Sequence, residues 1–153
     1  MILQSRIKNM KNKNGFTLFE LLVSISIIGI LTALASVAYS GAQKKARDAR
    51  RVEDVKSIQT AAEQYYSQNT YKYPSSYTSG VAWTVGTSTI LESYPSDPKG
   101  STYGTYKCAN GFTCDNTGYC ICALMENSAN ANADANCSFS AATKTSFCVK
   151  NQQ

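Results

Sequence analysis

The sequence predicts an α+β fold in which one long N-terminal helix packs, by its second half, on a small antiparallel β-sheet. Three observations predict it. From Phe16 to Tyr39 the only charged residue is Glu20. From Ala42 to Tyr65 the residues Ala42, Ala46, Ala49, Val52, Val55, Ile58, Ala62 and Tyr65 recur every three or four positions, the spacing of one apolar helix face. All six cysteines, Cys108, Cys114, Cys120, Cys122, Cys137 and Cys148, fall in the last third of the chain among turn signals and strand-forming runs.

The first half of the helix is a candidate membrane span. At about 1.5 Å per residue, Phe16 to Tyr39 covers the hydrocarbon core of a bilayer. Three readings of it stay open on physics alone: a cleaved signal peptide with Ala33-Leu34-Ala35 at the cut, a plain anchor, or a segment that uses its acid. A signal peptide has a shorter apolar run, and an ionised carboxylate at depth costs a few kcal/mol. A plain anchor has no need of Glu20. Ser24, Ser26, Gly29, Thr32 and Ser36 are small enough to let helices approach closely. Arg6, Lys8, Lys11 and Lys13 hold the N-terminus in the cytoplasm by the positive-inside rule, which places the rest of the chain outside.

The second half follows without a strong breaker, since Gly29 and Gly41 are mild ones, so one nearly continuous helix of roughly 53 residues is expected from Phe16 to Gln68. The amphipathic part is 41–68 and the head is 69–153. Lys44, Lys45, Arg47, Arg50 and Arg51 read as a solvated helix face beside Asp48, Glu53 and Asp54; contact with DNA or anionic lipid is the alternative, and no aromatic residue is interleaved to stack bases. The helix frays near Asn69. Tyr65, Tyr66, Tyr71 and Tyr73 are expected to pack between helix and loop, and Val81 to Val85 is a short strand or loop anchor. Tyr94 to Tyr103, dense in turn residues, is expected to connect rather than pack.

Strands are expected at Tyr103–Lys107, Tyr119–Met125 and Ser146–Lys150, forming a three- or four-stranded sheet over the apolar helix face. Six cysteines allow fifteen connectivities. Cys120 and Cys122 share a strand face and do not join each other; the expected links are Cys137 to Cys148, with Cys108 and Cys114 partnered in the first hairpin region. An oxidising compartment outside the membrane suits disulfides, and bridges stabilise a head too small to rely on its core. Zinc is the weaker alternative, because there is no histidine and no Cys-x2-Cys pair. Asn130, Asn132, Asp134 and Asn136 alternate oxygen-bearing side chains at the spacing of calcium loops, although an exposed Asn/Ala loop has the same pattern.

Composition excludes more than it assigns. Without histidine there is no Ser-His-Asp or Cys-His arrangement, and Glu92, Asp97, Asp115, Glu126 and Asp134 show no pairing in sequence; an enzyme is not expected. The net charge of +5 includes the four cations that precede Gly15, and without them eleven basic residues face ten acidic ones. The basic balance therefore reflects topology and is poor support for nucleic-acid binding.

Gly15-Phe16-Thr17-Leu18-Phe19-Glu20-Leu21-Leu22-Val23 closely resembles the processing site of type IV pilins and type II secretion pseudopilins. The resemblance implies a pilin-like fold, a leader at 1–15 removed by a prepilin peptidase between Gly15 and Phe16, methylation of the new Phe16 amine, and a filament-core segment at 16–40. It implies that Glu20 of one subunit pairs with the Phe16 amine of the next. The partners implied are identical or related subunits, the peptidase, a membrane assembly platform and, before assembly, membrane lipid. The chain departs from the family at Val37, where a proline is common, and at Lys99, where an aromatic residue is common after the Asp97-Pro98 turn that major pseudopilins share. Calcium binding, known in major pseudopilins, is the one cofactor implied, at Asn130, Asn132, Asp134 and Asn136. The function implied is a pilus subunit for adhesion, motility or DNA uptake, a single-pass inner-membrane precursor that becomes a surface filament. A secretion pseudopilin forming a short piston, and a minor or tip pilin binding DNA or a surface ligand, are the alternatives.

Overall fold

The computed structural model describes residues 15–100 and 106–153. The leader cations Arg6, Lys8, Lys11 and Lys13, and most of the strand expected at Tyr103–Lys107, lie outside the described residues. A single helix, α1, runs from Leu18 to Gln68. Residues through Tyr39 and residues from Ser40 onward form two compact units.

In the first unit α1 is long and apolar enough to cross a membrane, and its leucines, isoleucines and valines are exposed. The hydroxyls that interrupt this surface are satisfied within the helix. Ser24, Ser26 and Ser36 donate to the carbonyls four residues back at 2.7, 2.8 and 2.8 Å, and Thr32 donates to Ile28 at 2.9 Å. A lipid-facing helix has no water to do this for it.

In the second unit, β1 (Trp83–Val85) and β2 (Ser88–Leu91) form an antiparallel hairpin. Gly86, at φ 60°, opens the two-residue turn between them, a position that favours glycine. The strand at β1 agrees with the sequence, whereas its partner β2 was not foreseen. A second antiparallel sheet has the order β3 (Lys107–Cys108), β4 (Cys120–Leu124), β5 (Ser146–Lys150). Its last two strands stand where the sequence put them.

The core lies where Val55, Ile58 and Ala62 of α1 meet Tyr119, just before β4, and Ile121 and Val149 of the sheet, with Trp83, Tyr94 and Tyr106 beside them. The helix face is corrected at its start. Ala42, Ala46 and Ala49 are exposed, and the buried series is Asp48, Arg51, Val55, Ile58 and Ala62. Alanines offer little apolar area to cover, and the head covers the helix only from Arg47 onward. Tyr73 is buried and stacks on Tyr66 at 4.5 Å as expected, but Tyr71 stands 74% exposed with only an edge contact to Tyr66. Two left-handed residues, Thr70 and Tyr71, close the helix.

The Tyr94 run packs as well as connects, against expectation. Tyr94 is buried and its hydroxyl donates to the Tyr106 carbonyl at 3.0 Å, and Asp97 is buried against α1.

Three disulfides join Cys108 to Cys114, Cys120 to Cys137 and Cys122 to Cys148. The expected Cys137–Cys148 link is therefore corrected. Cys122 and Cys148 face each other directly across β4 and β5 with Cα atoms 4.1 Å apart, and with Cys108 joined to Cys114 only Cys120 is left for Cys137. Non-reducing peptide mapping is expected to return these three links, and Cys122→Ser with Cys148→Ser is expected to cost the head about 2–5 kcal/mol in a denaturant melt. Six free thiols in the mature protein would contradict the arrangement.

Candidate functional site

The candidate site starts at the first turn of α1. Thr17 and Glu20 are three apart at its N-terminus, and they form a reciprocal cap. The Thr17 backbone N–H and hydroxyl donate to Glu20 Oε2 at 2.9 and 2.7 Å, and the Glu20 N–H donates to the Thr17 hydroxyl at 3.2 Å. This satisfies donors that a helix start leaves unpaired. The signal was legible as Thr-x-x-Glu and was missed beside the more conspicuous apolar run. Glu20 Oε1 accepts no hydrogen bond among the described residues, so half of the carboxylate stays open to a partner. Phe16 is 89% exposed. A Cβ on Gly15 would meet nothing within 4 Å, so packing gives no reason for glycine there.

The head is fixed to the second half of α1 by a buried ionic cluster that sequence reading missed. Arg51, fully buried, donates through Nε and Nη2 to both oxygens of Asp97 at 2.6 and 3.1 Å, and through Nη1 to Asp48 at 2.8 Å and Glu126 at 3.1 Å. Arg47 makes a second two-pronged contact, to Glu126 at 2.6 and 2.8 Å, and Lys99 reaches the same carboxylate at 3.3 Å. Asp48 also accepts the backbone N–H groups of Glu126 and Asn127, each at 2.9 Å. Three cations thus meet three carboxylates; Asp48 and Asp97 also accept backbone N–H groups, and the cations occupy both oxygens of Glu126, the condition under which buried charge is tolerated. This corrects two expectations: Arg47, Asp48 and Arg51 do not belong to a solvated face, and Asp97 and Glu126 are not unpaired. Burial pulls the Arg51 proton off, but Asp97, Asp48 and Glu126 outweigh that and hold it above the ordinary arginine range.

The Arg47 guanidinium, against the opposing effect of burial and with help from Arg51 and Lys99, holds Glu126 far below the ordinary carboxyl value of 4.5. A carboxyl that is more acidic folded than unfolded stabilises the fold fully above its unfolded pKa and loses that stabilisation as pH falls through the folded one. The melting temperature contributed by this group is therefore expected to be flat above about pH 4.5 and to fall below it. Glu126→Gln is expected to lower the plateau and make the acid limb shallower; an unchanged limb would show that Glu126 is not the group responsible.

Tyr73 and Tyr119 both donate to Glu63, at 3.0 and 2.9 Å, and Tyr106 donates to Asp54 at 2.6 Å. Burial, then Glu63, pushes the Tyr73 hydroxyl up to about 12, so these tyrosines remain neutral donors between helix and sheet.

The residues considered for calcium do not act as one set. Asn132 pairs its amide with both backbone groups of Cys148, at 2.7 and 2.9 Å, while Asp134 accepts the N–H groups of Asn136 and Ser138 at 2.9 and 2.8 Å. Asn130 ends a short 3-10 turn. The Asn136 and Ser138 N–H groups both bond Asp134 Oδ1, while Oδ2 accepts the Asn136 side-chain amide at 3.3 Å. Cys120, Cys122 and Cys137 are close together, but all six cysteines are joined in disulfides.

Comparison with known proteins bears on the N-terminal site. Residues 10–36 match the family model of the prokaryotic N-terminal methylation motif. The chain is 43% identical over 54 residues to a fimbrial protein of Pseudomonas aeruginosa, covering 35% of each. It is 36% identical over 100 residues to the type IV major pilin protein PilE1 of Neisseria gonorrhoeae, covering 65% of this chain and 49% of that one. It is also 36% identical over 63 residues to the type II secretion system core protein G of Pectobacterium carotovorum subsp. carotovorum, covering 41% of this chain and 40% of that one. The chain spans half or less of the length of these relatives. No solved structure matches it.

Proposed function

We propose that this chain, similar over part of its length to a fimbrial protein, a type IV major pilin and a type II secretion core protein, is a structural subunit of a type IV pilus, matured at Gly15-Phe16 and drawn from the inner membrane into a surface filament. The observation that carries this reading is Glu20, a capped carboxylate with one open oxygen at the head of an exposed apolar helix. In lipid that oxygen lacks a donor, and the amine freed at Phe16 lacks an acceptor. A neighbouring subunit supplies each with the other. The disulfide-braced loops of the head suit display on an outer surface.

Co-expression with a prepilin peptidase is expected to yield a chain that begins at N-methylated Phe16, read by intact mass and N-terminal fragmentation. A chain cut near Ala35, or left whole, would overturn the reading. The Asp97-Pro98-Lys99-Gly100 segment and the likeness to core protein G favour a second reading, a secretion pseudopilin. Filaments sheared from cells at native expression support the pilus; loss of secreted proteins on deletion, without surface filaments, supports the pseudopilus.

A further inference from the structure

We propose that Lys44, Lys45 and Arg50 form a cationic collar that binds the headgroups of anionic phospholipids on the outer face of the membrane the helix spans. The inference rests on the membrane-spanning reading of Phe16 to Tyr39 and adds to it the lipid class and the residues.

The buried cluster is what exposes the collar. Five basic residues lie between Gln43 and Val52, and in sequence they look like one patch. Arg47 and Arg51 are drawn into the head by Glu126, Asp97 and Asp48. Lys44, Lys45 and Arg50 remain exposed, and no ion pair holds any of them among the described residues. Asp48, the first acid after Glu20, is fully buried and answers Arg51. Glu53, exposed three residues beyond Arg50, is the nearest acid left on this surface.

The placement of the three around the helix selects the partner. At about 100° per residue, Lys45 lies about 100° and Arg50 about 240° around from Lys44. They therefore divide the circumference nearly evenly. A duplex or an acidic protein meets one face of a helix and would reward cations gathered on that face. A headgroup layer meets every part of the circumference that the head leaves uncovered, so exposed cations spread around the helix suit it. Lys44 and Lys45 stand five and six residues after Tyr39, about 8–9 Å along the helix and at the edge of a headgroup layer that extends about 5–8 Å beyond the hydrocarbon. Arg50 stands about 16 Å along and reaches back toward it with its long side chain. Lys side chains reach such a layer while keeping their stems against the helix.

The test uses the full chain reconstituted in nanodiscs of phosphatidylcholine with a minor fraction of phosphatidylglycerol, and reads the lipid retained by native mass spectrometry. The wild-type chain is expected to retain phosphatidylglycerol above its bulk fraction, less so at high salt, by about fivefold per cation. Lys44→Gln, Lys45→Gln and Arg50→Gln together are expected to return retention to the bulk fraction, while the melting temperature of the head stays unchanged. A wild-type chain that inserts but shows no enrichment overturns the collar and leaves the span intact. Failure to insert even into pure phosphatidylcholine overturns the span reading instead. If the triple variant keeps its lipid preference and loses binding to a labelled DNA duplex, the collar is wrong and these cations serve nucleic acid.

Discussion

Replacing Glu20 with Gln is expected to abolish filaments while leaving the chain processed, inserted and folded. Glutamine keeps the shape and can still cap Thr17, so the helix start survives; what disappears is the charge. In an assembled filament the Phe16 amine of the adjoining subunit would then be buried without an acceptor, and breaking a buried pair costs about 3 kcal/mol or more, over a hundredfold in the equilibrium for adding a subunit. Glu20→Ala removes cap and charge together and is expected to be at least as severe. Quantifying sheared filaments against processed subunit in the membrane checks this, and normal filament yield from Glu20→Gln would remove the charge from the mechanism.

Arg51→Met is expected to give the largest loss of head stability of any single substitution. It leaves Asp48 and Asp97 buried, with their backbone donors but without the guanidinium that faced both. Breaking such a cluster costs about 3–5 kcal/mol, which for a domain of this size lowers the melting temperature on the order of 10–20 °C. Replacing Asp48 and Asp97 by apolar residues in the same chain is expected to recover much of the loss, because a group of buried charges removed together leaves nothing uncompensated. Circular dichroism melts of the full chain in detergent measure both. A single variant within a few degrees of wild type would show that the cluster is solvated in solution.

The helix, β4, β5 and the N-terminal methylation motif were legible because each is written in local pattern: an uninterrupted apolar run, alternating strand residues, an ordered motif. The features that were not legible depend on distant residues meeting. Asp97 and Glu126 lie 46 and 75 positions from Arg51, and no spacing rule relates a charge on a helix to acids in two loops. The same blindness made Arg47 and Arg51 look like surface. It also made Ala42, Ala46 and Ala49 look like core, since periodicity marks a face without saying how far along the helix the head reaches. The disulfides sit between these cases: Cys122 and Cys148 become partners only once two strands are in register.

All three disulfides lie between Cys108 and Cys148, and none includes a residue of α1. In the proposed filament, tension would enter each subunit through its helix, and no covalent cross-link would carry it on to the sheet. The Arg51 cluster and the tyrosine contacts at Glu63 and Asp54 are in the load path, so the helix would peel from the sheet before any bridged loop is stretched. The bridges would keep the detached sheet folded and able to dock again when the force drops.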